Sequence, residues 1–309
     1  MAHDLPADTR GIIDPATMAH YVNLTRYPAG EALDGLVEWF WAVRWAVPDG
    51  ARHVQRVLNH PSGHLSIGTT DDAGATADRP QGRVYGLITR LSHRVLIGQG
   101  WTVAAKTTTG GLGALIGRPA RQVTDRVLTL NDALGIDGAA LVAAISATPD
   151  EPGRVDLLRR TVESVVAQAD PRRLAHAREV ARMARIAETD RSVLRVEHLA
   201  AAGAVSVRTL QRLFGEYVGA SPAWVIRRWR IIEAAERAAE AVRAAEAVRA
   251  DEWAAEAAGT AVTGRGHAAW AGWAELAADL GYSDHAHLTR DVRAHLGVTP
   301  SAYLASQRP

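Results

Sequence analysis

The sequence predicts an α+β fold, a β-rich N-terminal half followed by an all-α C-terminal half, and three observations carry that expectation. From about Leu36 to Val127, short apolar runs are separated by Gly, Pro and Asp clusters, which is the spacing of strands joined by turns. From Asp170 onward the apolar residues recur at helical intervals, as in Leu174, Ala177, Val180, Ala181 and Ala184. A segment running from Leu199 to Pro222 then returns from Leu276 to Pro300, its second half at a constant offset of 78 residues. A short helix, a Gly-containing turn and a second polar-faced helix, duplicated, is how a chain builds two helix-turn-helix units.

Taken in order, strands are expected at Val37–Val47, Val54–Leu58, His64–Ile67, Val84–Leu87, Val95–Ile97 and Trp101–Ala105. Asp71 to Gln81 is polar and reads as an exposed hairpin loop. A short helix over Gly110–Ile116 stops before Pro119, and longer helices are expected at Asn131–Ile145 and Val155–Ala169. The last of these places Val155, Leu158, Val162, Val165 and Val166 on one face. Asp170 is placed to cap the next helix, with Pro171 in its first turn. The expected division is a β-rich sensory or dimerisation domain with bridging helices over 1–169 and a helical domain over 170–309, interrupted by a helical insertion at about 236–266.

At 309 residues the chain is long enough for two ordinary domains. It has no cysteine, which excludes disulfides, thiolate nucleophiles and Cys-ligated zinc. No apolar run approaches a membrane span and the first ten residues lack a leader layout, so a cytoplasmic protein with no membrane partner is expected. Lys106 is the only lysine, and the Arg- and Ala-rich usage points to a GC-rich coding genome. The net charge of +1 does not by itself announce a nucleic-acid binder. From Asp170 to the end there are 19 Arg against 17 acids, and six of those acids lie within Glu236–Ala258. The remainder has the sign expected for phosphate contact.

In the first repeat, Val196–Ala202 is the supporting helix, Gly203 permits the turn and Ser206 caps the second helix. Leu210, Leu213 and Phe214 then point inward, leaving Arg208, Thr209, Gln211 and Arg212 outward. Arg and Gln have the bidentate geometry that matches guanine and adenine edges in the major groove. A solvated polar helix face is the plainer alternative for such residues. In the second repeat the outward positions are Asp284, His285, Ala286, Thr289 and Arg290, with Leu288 and Val292 inward. His285 and His287 diverge on a helix, so they are not a metal pair. Arg227, Arg228 and Arg230, just after the first unit, are candidates for phosphate contact, weighed against ordinary surface charge.

The ordered motifs Ser206-Val-Arg-Thr-Leu-Gln-Arg-Leu-Phe214 and Gly219-Ala-Ser-Pro222, followed by Leu280-Gly-Tyr-Ser-Asp284 and Gly297-Val-Thr-Pro300, resemble the AraC/XylS family of bacterial transcription regulators over about Asp170–Gln307. The resemblance implies a sequence-specific regulator with base-reading positions at Arg208, Gln211 and Arg212 and at His285, Thr289 and Arg290. Double-stranded DNA is the implied partner. RNA polymerase, a small-molecule effector and a second copy of the chain stay open as further partners. The stretch from Glu38 to Asp137, with EWFWAVRW, Pro48-Asp49-Gly50, His60-Pro61, Gly100-Trp101 and Gly117-Arg118-Pro119, is similar to the β-rich N-terminal domain of one branch of these regulators.

The chain departs from the family in three places. Leu288, Val292 and Leu296 replace the usual phenylalanines of the second unit, and Asp291 adds a negative charge there. Thr107-Thr108-Thr109-Gly110-Gly111 stands where the family has Phe-Arg-Pro-Gly-Gly, so no effector contact is carried over. Roughly 27 extra residues separate the two units, and as straight helix at 1.5 Å each they would add about 40 Å. The family sets its recognition helices about 34 Å apart, so Glu236–Ala258 is expected to protrude as a helical spur, with the Gly-rich stretch from Gly259 to His267 returning the chain.

In the N-terminal half, Trp39, Trp41, Trp45 and Trp101 are candidates for an apolar effector pocket, against ordinary core packing. His53, His60 and His64 lack an acidic residue at supporting spacing, so no metal or other cofactor is expected. No paired carboxylates, Ser/His/Asp set or phosphate-cradling Gly loop stands out, and no catalytic residue is assigned. The rival readings are a cupin-like enzyme fused to DNA-binding units and a helical interaction protein built on the Ala/Glu/Arg segment.

Overall fold

The computed structural model describes residues 11–70, 76–257 and 272–305. The chain divides into two compact units, Met1–Trp229 and Arg230–Pro309, and the architecture is α+β with the sheets in the first unit. The first unit opens with β1 (Ile12–Ile13), α1 (Pro15–Tyr21), β2 (Val22–Pro28), β3 (Val37–Ala46), β4 (His53–Val57) and β5 (His64–Thr70). It continues through β6 (Thr76–Tyr85), β7 (Ser92–Leu96), β8 (Gln99–Thr107), α2 (Gly111–Leu115) and β9 (Val127–Thr129). Helices α3 (Leu130–Leu134), α4 (Gly138–Ala147), α5 (Glu151–Gln168), α6 (Pro171–Thr189), α7 (Val196–Ala202) and α8 (Val207–Tyr217) follow, and α9 (Pro222–Ala257) begins in the first unit and continues into the second. The second unit adds α10 (Gly272–Asp279), α11 (His285–Leu296) and α12 (Pro300–Ala305).

Two antiparallel sheets face each other, one of three strands in the order β1-β4-β7 and one of six in the order β2-β3-β8-β5-β6-β9. Because side chains alternate across a strand, β3 sends Trp39, Trp41, Val43 and Trp45 to the space between the sheets. Its other face carries Phe40 and Ala42, both buried. Helix α5 lies against β3 and β8 on that outer side. The Arg159 guanidinium stands over the Phe40 ring and the Tyr27 hydroxyl donates to Glu151 at 2.8 Å.

Several expectations are refined. Asp71–Gln81 is not a loop throughout, since residues from Thr76 onward belong to β6 and pair with β5. The single helix expected over Asn131–Ile145 is two, because Gly135 at φ 68 terminates α3 and Asp137 caps α4 through a bond from the Ala140 amide at 2.9 Å. Strands β1, β2 and β9 lie outside the strands expected from the sequence. In β2, Val22 and Leu24 alternate with Asn23 and Thr25 for only four residues before Arg26 takes the inward face and Tyr27 the other, a run too short to mark a strand by itself.

Within the first unit, α6, α7 and α8 pack together and against the loop-helix region after β8. Leu174, Ala177, Val180 and Met183 of α6 are buried, as are Leu210, Leu213, Phe214 and Tyr217 of α8. Backbone comes very close where α2 meets α8: a Cβ on Gly113 would lie 2.6 Å from the Tyr217 Cα. Arg173 reaches both the Gly113 carbonyl and Glu216, each at 2.9 Å, and Thr124 donates to the Gly219 carbonyl at 2.8 Å. In the second unit Leu276, Leu288, Val292 and Leu296 are buried. There Arg237 bonds Asp279 at 2.9 Å and the Tyr303 hydroxyl donates to the Ala235 carbonyl at 3.2 Å.

The Ala/Glu/Arg segment continues α9 as helix to Ala257. The expected return from Gly259 to His267 lies outside the described residues. No helix among the described residues is long and apolar enough to cross a membrane.

Candidate nucleic-acid interface and the cavity between the sheets

The two repeats build the same turn. In the first, the amides of Gly203, Ala204 and Val205 bond the carbonyls of Leu199, Ala201 and Ala200. In the second, Leu280, Gly281 and Tyr282 bond Leu276, Ala278 and Ala277 in the same pattern. The left-handed position is Ala204 at φ 52 in one and Gly281 at φ 75 in the other. Gly203 therefore does not supply the turn's left-handed residue, as its φ is −82. Its lack of a side chain serves close packing, since a Cβ there would sit 2.8 Å from the Met183 sulfur.

Helix α8 is capped by Ser206, whose hydroxyl accepts from the Thr209 amide at 3.1 Å. The matching cap of α11 is Asp284, accepting from the His287 amide at 2.7 Å, with Ser283 the one extra residue in that turn. This bond, reinforced by the Ser283 hydroxyl and Arg290, holds the Asp284 carboxyl below its ordinary range. Each helix ends alike, at Gly219 and Gly297 with φ of 89 and 70. Ser221 and Thr299 then cap the next helices by accepting from Trp224 and Ala302 at 3.2 Å.

On α8, Arg208, Gln211 and Arg212 are exposed, while Thr209 is half-buried with its hydroxyl 2.9 Å from Ser206 Oγ. On α11, His285, Ala286 and Arg290 are exposed and Thr289 is half-buried, its Oγ1 3.5 Å from His285 Nε2. The arginine run divides differently from expectation. Arg227 is exposed, but Arg228 and Arg230 are 0% and 3% exposed, buried rather than on the surface. One helical residue is a turn of about 100°, so neighbours in sequence point to different faces. Arg228 Nε donates to the Asn59 carbonyl at 2.8 Å, and its guanidinium lies over Trp224. Burial lowers its pKa to about 10, Asp125 opposing the shift. Arg230 meets Glu233 at 3.4 Å.

Between the sheets of the first unit lies a cavity of about 220 Å³. Trp39, Trp41 and Trp45 line it, together with Arg26, Arg94 and Lys106. Trp101 does not: it falls on the opposite face of β8, where Arg154 stacks on it at 4.0 Å. Lys106 lies 4.0 Å from the Trp39 ring centroid, ion-pairs with Glu38 and sits 3.0 Å from His60 Nδ1. The three histidines separate, His53 to Gln55 at 3.0 Å, His60 to Lys106 and His64 edge-on to Trp41. Burial, aided by Lys106 and Arg94, lowers the His64 pKa to about 3. The cavity wall also meets the start of α9, because His60 stacks edge-on against Trp229 at 5.0 Å and Asn59 receives Arg228. Arg26 and Arg94 carry no distinguishing signal in the sequence, and Lys106 is marked there only as the sole lysine, in an apolar strand.

Residues 25–129 match a family described only as a domain of unknown function, DUF6597. No curated protein matches the chain. Among solved structures it is similar to ToxT from Vibrio cholerae, at 10% identity and a TM-score of 0.38 over 93% of this chain and 98% of that one. It is also similar to the AraC-like transcriptional activator CuxR, at 16% identity and a TM-score of 0.26 over 71% of this chain and 88% of that one. Overlaps this loose assign no function.

Proposed function

We propose that the chain is a sequence-specific transcription regulator of the AraC type, acting in the cytoplasm, whose two helix-turn-helix units read adjacent major-groove segments of double-stranded DNA. The observation that carries this reading is the repetition of one frame, with the same turn bonds, the same cap position and the same left-handed exit, around two helices with exposed polar faces. A merely solvated helix needs no such duplication. Arg208, Gln211 and Arg212 contact base edges from the first unit, and His285, Thr289 and Arg290 from the second. Thr209 and Ala286 fill in beside them, and Arg227 meets a phosphate.

The functional division is a sensory domain over 1–169 and a DNA-reading domain over 170–309. The cavity between the sheets is the effector site of the former, and the wall it shares with Arg228 and Trp229 gives an effector a physical route to the helix that follows the first reading unit. The test is a gel-shift titration with the DNA upstream of the chain's own coding sequence. Selective binding is expected, and replacing Arg208 and Arg212 together with alanine should weaken it by at least about 30-fold, since each good base contact contributes about 1–3 kcal/mol. Undiminished selectivity in that double variant overturns the reading.

A further inference from the structure

We infer that the cavity between the two sheets binds a compact, ring-bearing monocarboxylate, its ring against Trp39, Trp41 and Trp45 and its carboxylate at the end formed by Arg26, Arg94 and Lys106. This deepens the effector part of the reading above and rests on that cavity being a ligand site.

Four features of the wall select this ligand. The first is charge: three cationic side chains line the cavity and, among the described residues, no carboxylate does. Lys106 has Glu38 as its partner, which lies outside the lining. Arg94 donates to the His93 carbonyl at 3.1 Å and stands over the Tyr85 ring. The second is convergence. Arg26 and Lys106 both stand over the Trp39 ring, at 5.0 and 4.0 Å from its centroid, and Lys106 and Arg94 both act on His64. The positive charge is therefore concentrated at one end rather than spread around the wall, and His64 stays neutral there at physiological pH, adding no charge of its own.

The third feature is a pair of buried polar atoms with no hydrogen-bond partner among the described residues, His64 Nδ1 and Thr102 Oγ1, on residues that line the cavity. Buried polar groups are ordinarily satisfied, and a carboxylate oxygen is an acceptor suited to a hydroxyl and to an imidazole N–H. The fourth is size and shape. An apolar cavity of roughly 150 Å³ accommodates benzene and a water-sized group takes about 30 Å³. A cavity of about 220 Å³ therefore holds one ring, a carboxylate and one or two further carbons. Flat aromatic walls with a few convergent polar groups are the usual lining of such sites.

Isothermal titration of the full-length chain at pH 7 with trans-cinnamate and with its neutral isostere trans-cinnamamide tests the inference. Cinnamate should bind at least about tenfold more tightly than the amide, the factor that one charge-assisted hydrogen bond supplies. In Arg94→Met that preference should fall to about threefold or less, and Arg26→Met provides the same readout if Arg94→Met does not fold. Equal or tighter binding of the amide, or no binding of either probe at millimolar concentration, overturns the inference. So does a folded variant pair that keeps the full preference. No DNA enters this measurement, so failure here and failure of the DNA-reading proposal are told apart.

Discussion

The Nε of Arg228 donates to the main-chain oxygen of Asn59 across 2.8 Å, joining residues 169 positions apart. The two remaining guanidinium nitrogens of Arg228, Nη1 and Nη2, are buried with no hydrogen-bond partner among the described residues. Charge taken out of water with one bond to show for it is a cost to the folded chain. That cost is the desolvation that lowers the Arg228 pKa from its ordinary value to about 10, a shift worth on the order of 3 kcal/mol.

Arg228→Met keeps the buried stem and removes the charge. The variant should be more stable than the parent by about 1–3 kcal/mol, read from the urea midpoint by circular dichroism. With a depressed basic group the cost is constant below about pH 10 and is relieved only as pH rises above that value towards the ordinary guanidinium pKa, so the gain should be flat across pH 6 to 9. A loss of stability would show that the Asn59 bond outweighs desolvation.

His64 gives the opposite kind of pH dependence. Its pKa falls from 6.5 to about 3 in the folded chain, so between those values the unfolded chain binds the extra proton. The stability it supports is complete above pH 6.5 and drains away as pH falls towards 3. Between pH 7 and 5, the parent should lose about 2 kcal/mol more than His64→Gln. Parallel losses in the two proteins would place the histidine's titration elsewhere.

Ala204 occupies the left-handed turn position that glycine holds in the second repeat. A non-glycine residue there carries about 1–2 kcal/mol of strain, partly offset by glycine's larger unfolded-state entropy. Ala204→Gly should raise stability by about 0.5–1 kcal/mol, measured by thermal denaturation. The reciprocal change Gly281→Ala should lower it by a similar amount.

Gly113→Ala would place a methyl group 2.6 Å from the Tyr217 Cα and 2.9 Å from the Glu216 and Tyr217 carbonyls. Backbone on that side cannot swing away as a side chain can, so α8 must shift. A loss of at least about 1–3 kcal/mol is expected, and faster amide exchange over Val207–Tyr217 would locate it.

Much of this was legible from residue spacing. The period of two in Trp39, Trp41 and Trp45 puts three rings on one face of β3, and the period did not reach Trp101 because strand parity in β8 depends on its register against β3. Ser206 was readable as a cap because capping is local chemistry. Gly203 does not hold the left-handed position the sequence suggests for it: its neighbour there is an alanine, and the position of Met183 explains why a glycine sits at 203. The arginines at 227, 228 and 230 read as one basic run, yet burial depends on what packs over each face of α9, a tertiary fact absent from composition. The same holds for Arg26, Arg94 and Lys106, which come from β2, β7 and β8 and meet only when the sheets close.

The acceptor for Arg228 belongs to the main chain of Asn59, while the side chain of that residue is occupied with Val57, Arg90 and Ser92. A carbonyl offered by the backbone is indifferent to which amino acid carries it. Exchanging the side chain at position 59 therefore removes the contacts to Val57, Arg90 and Ser92 and leaves the fastening to the helix its acceptor.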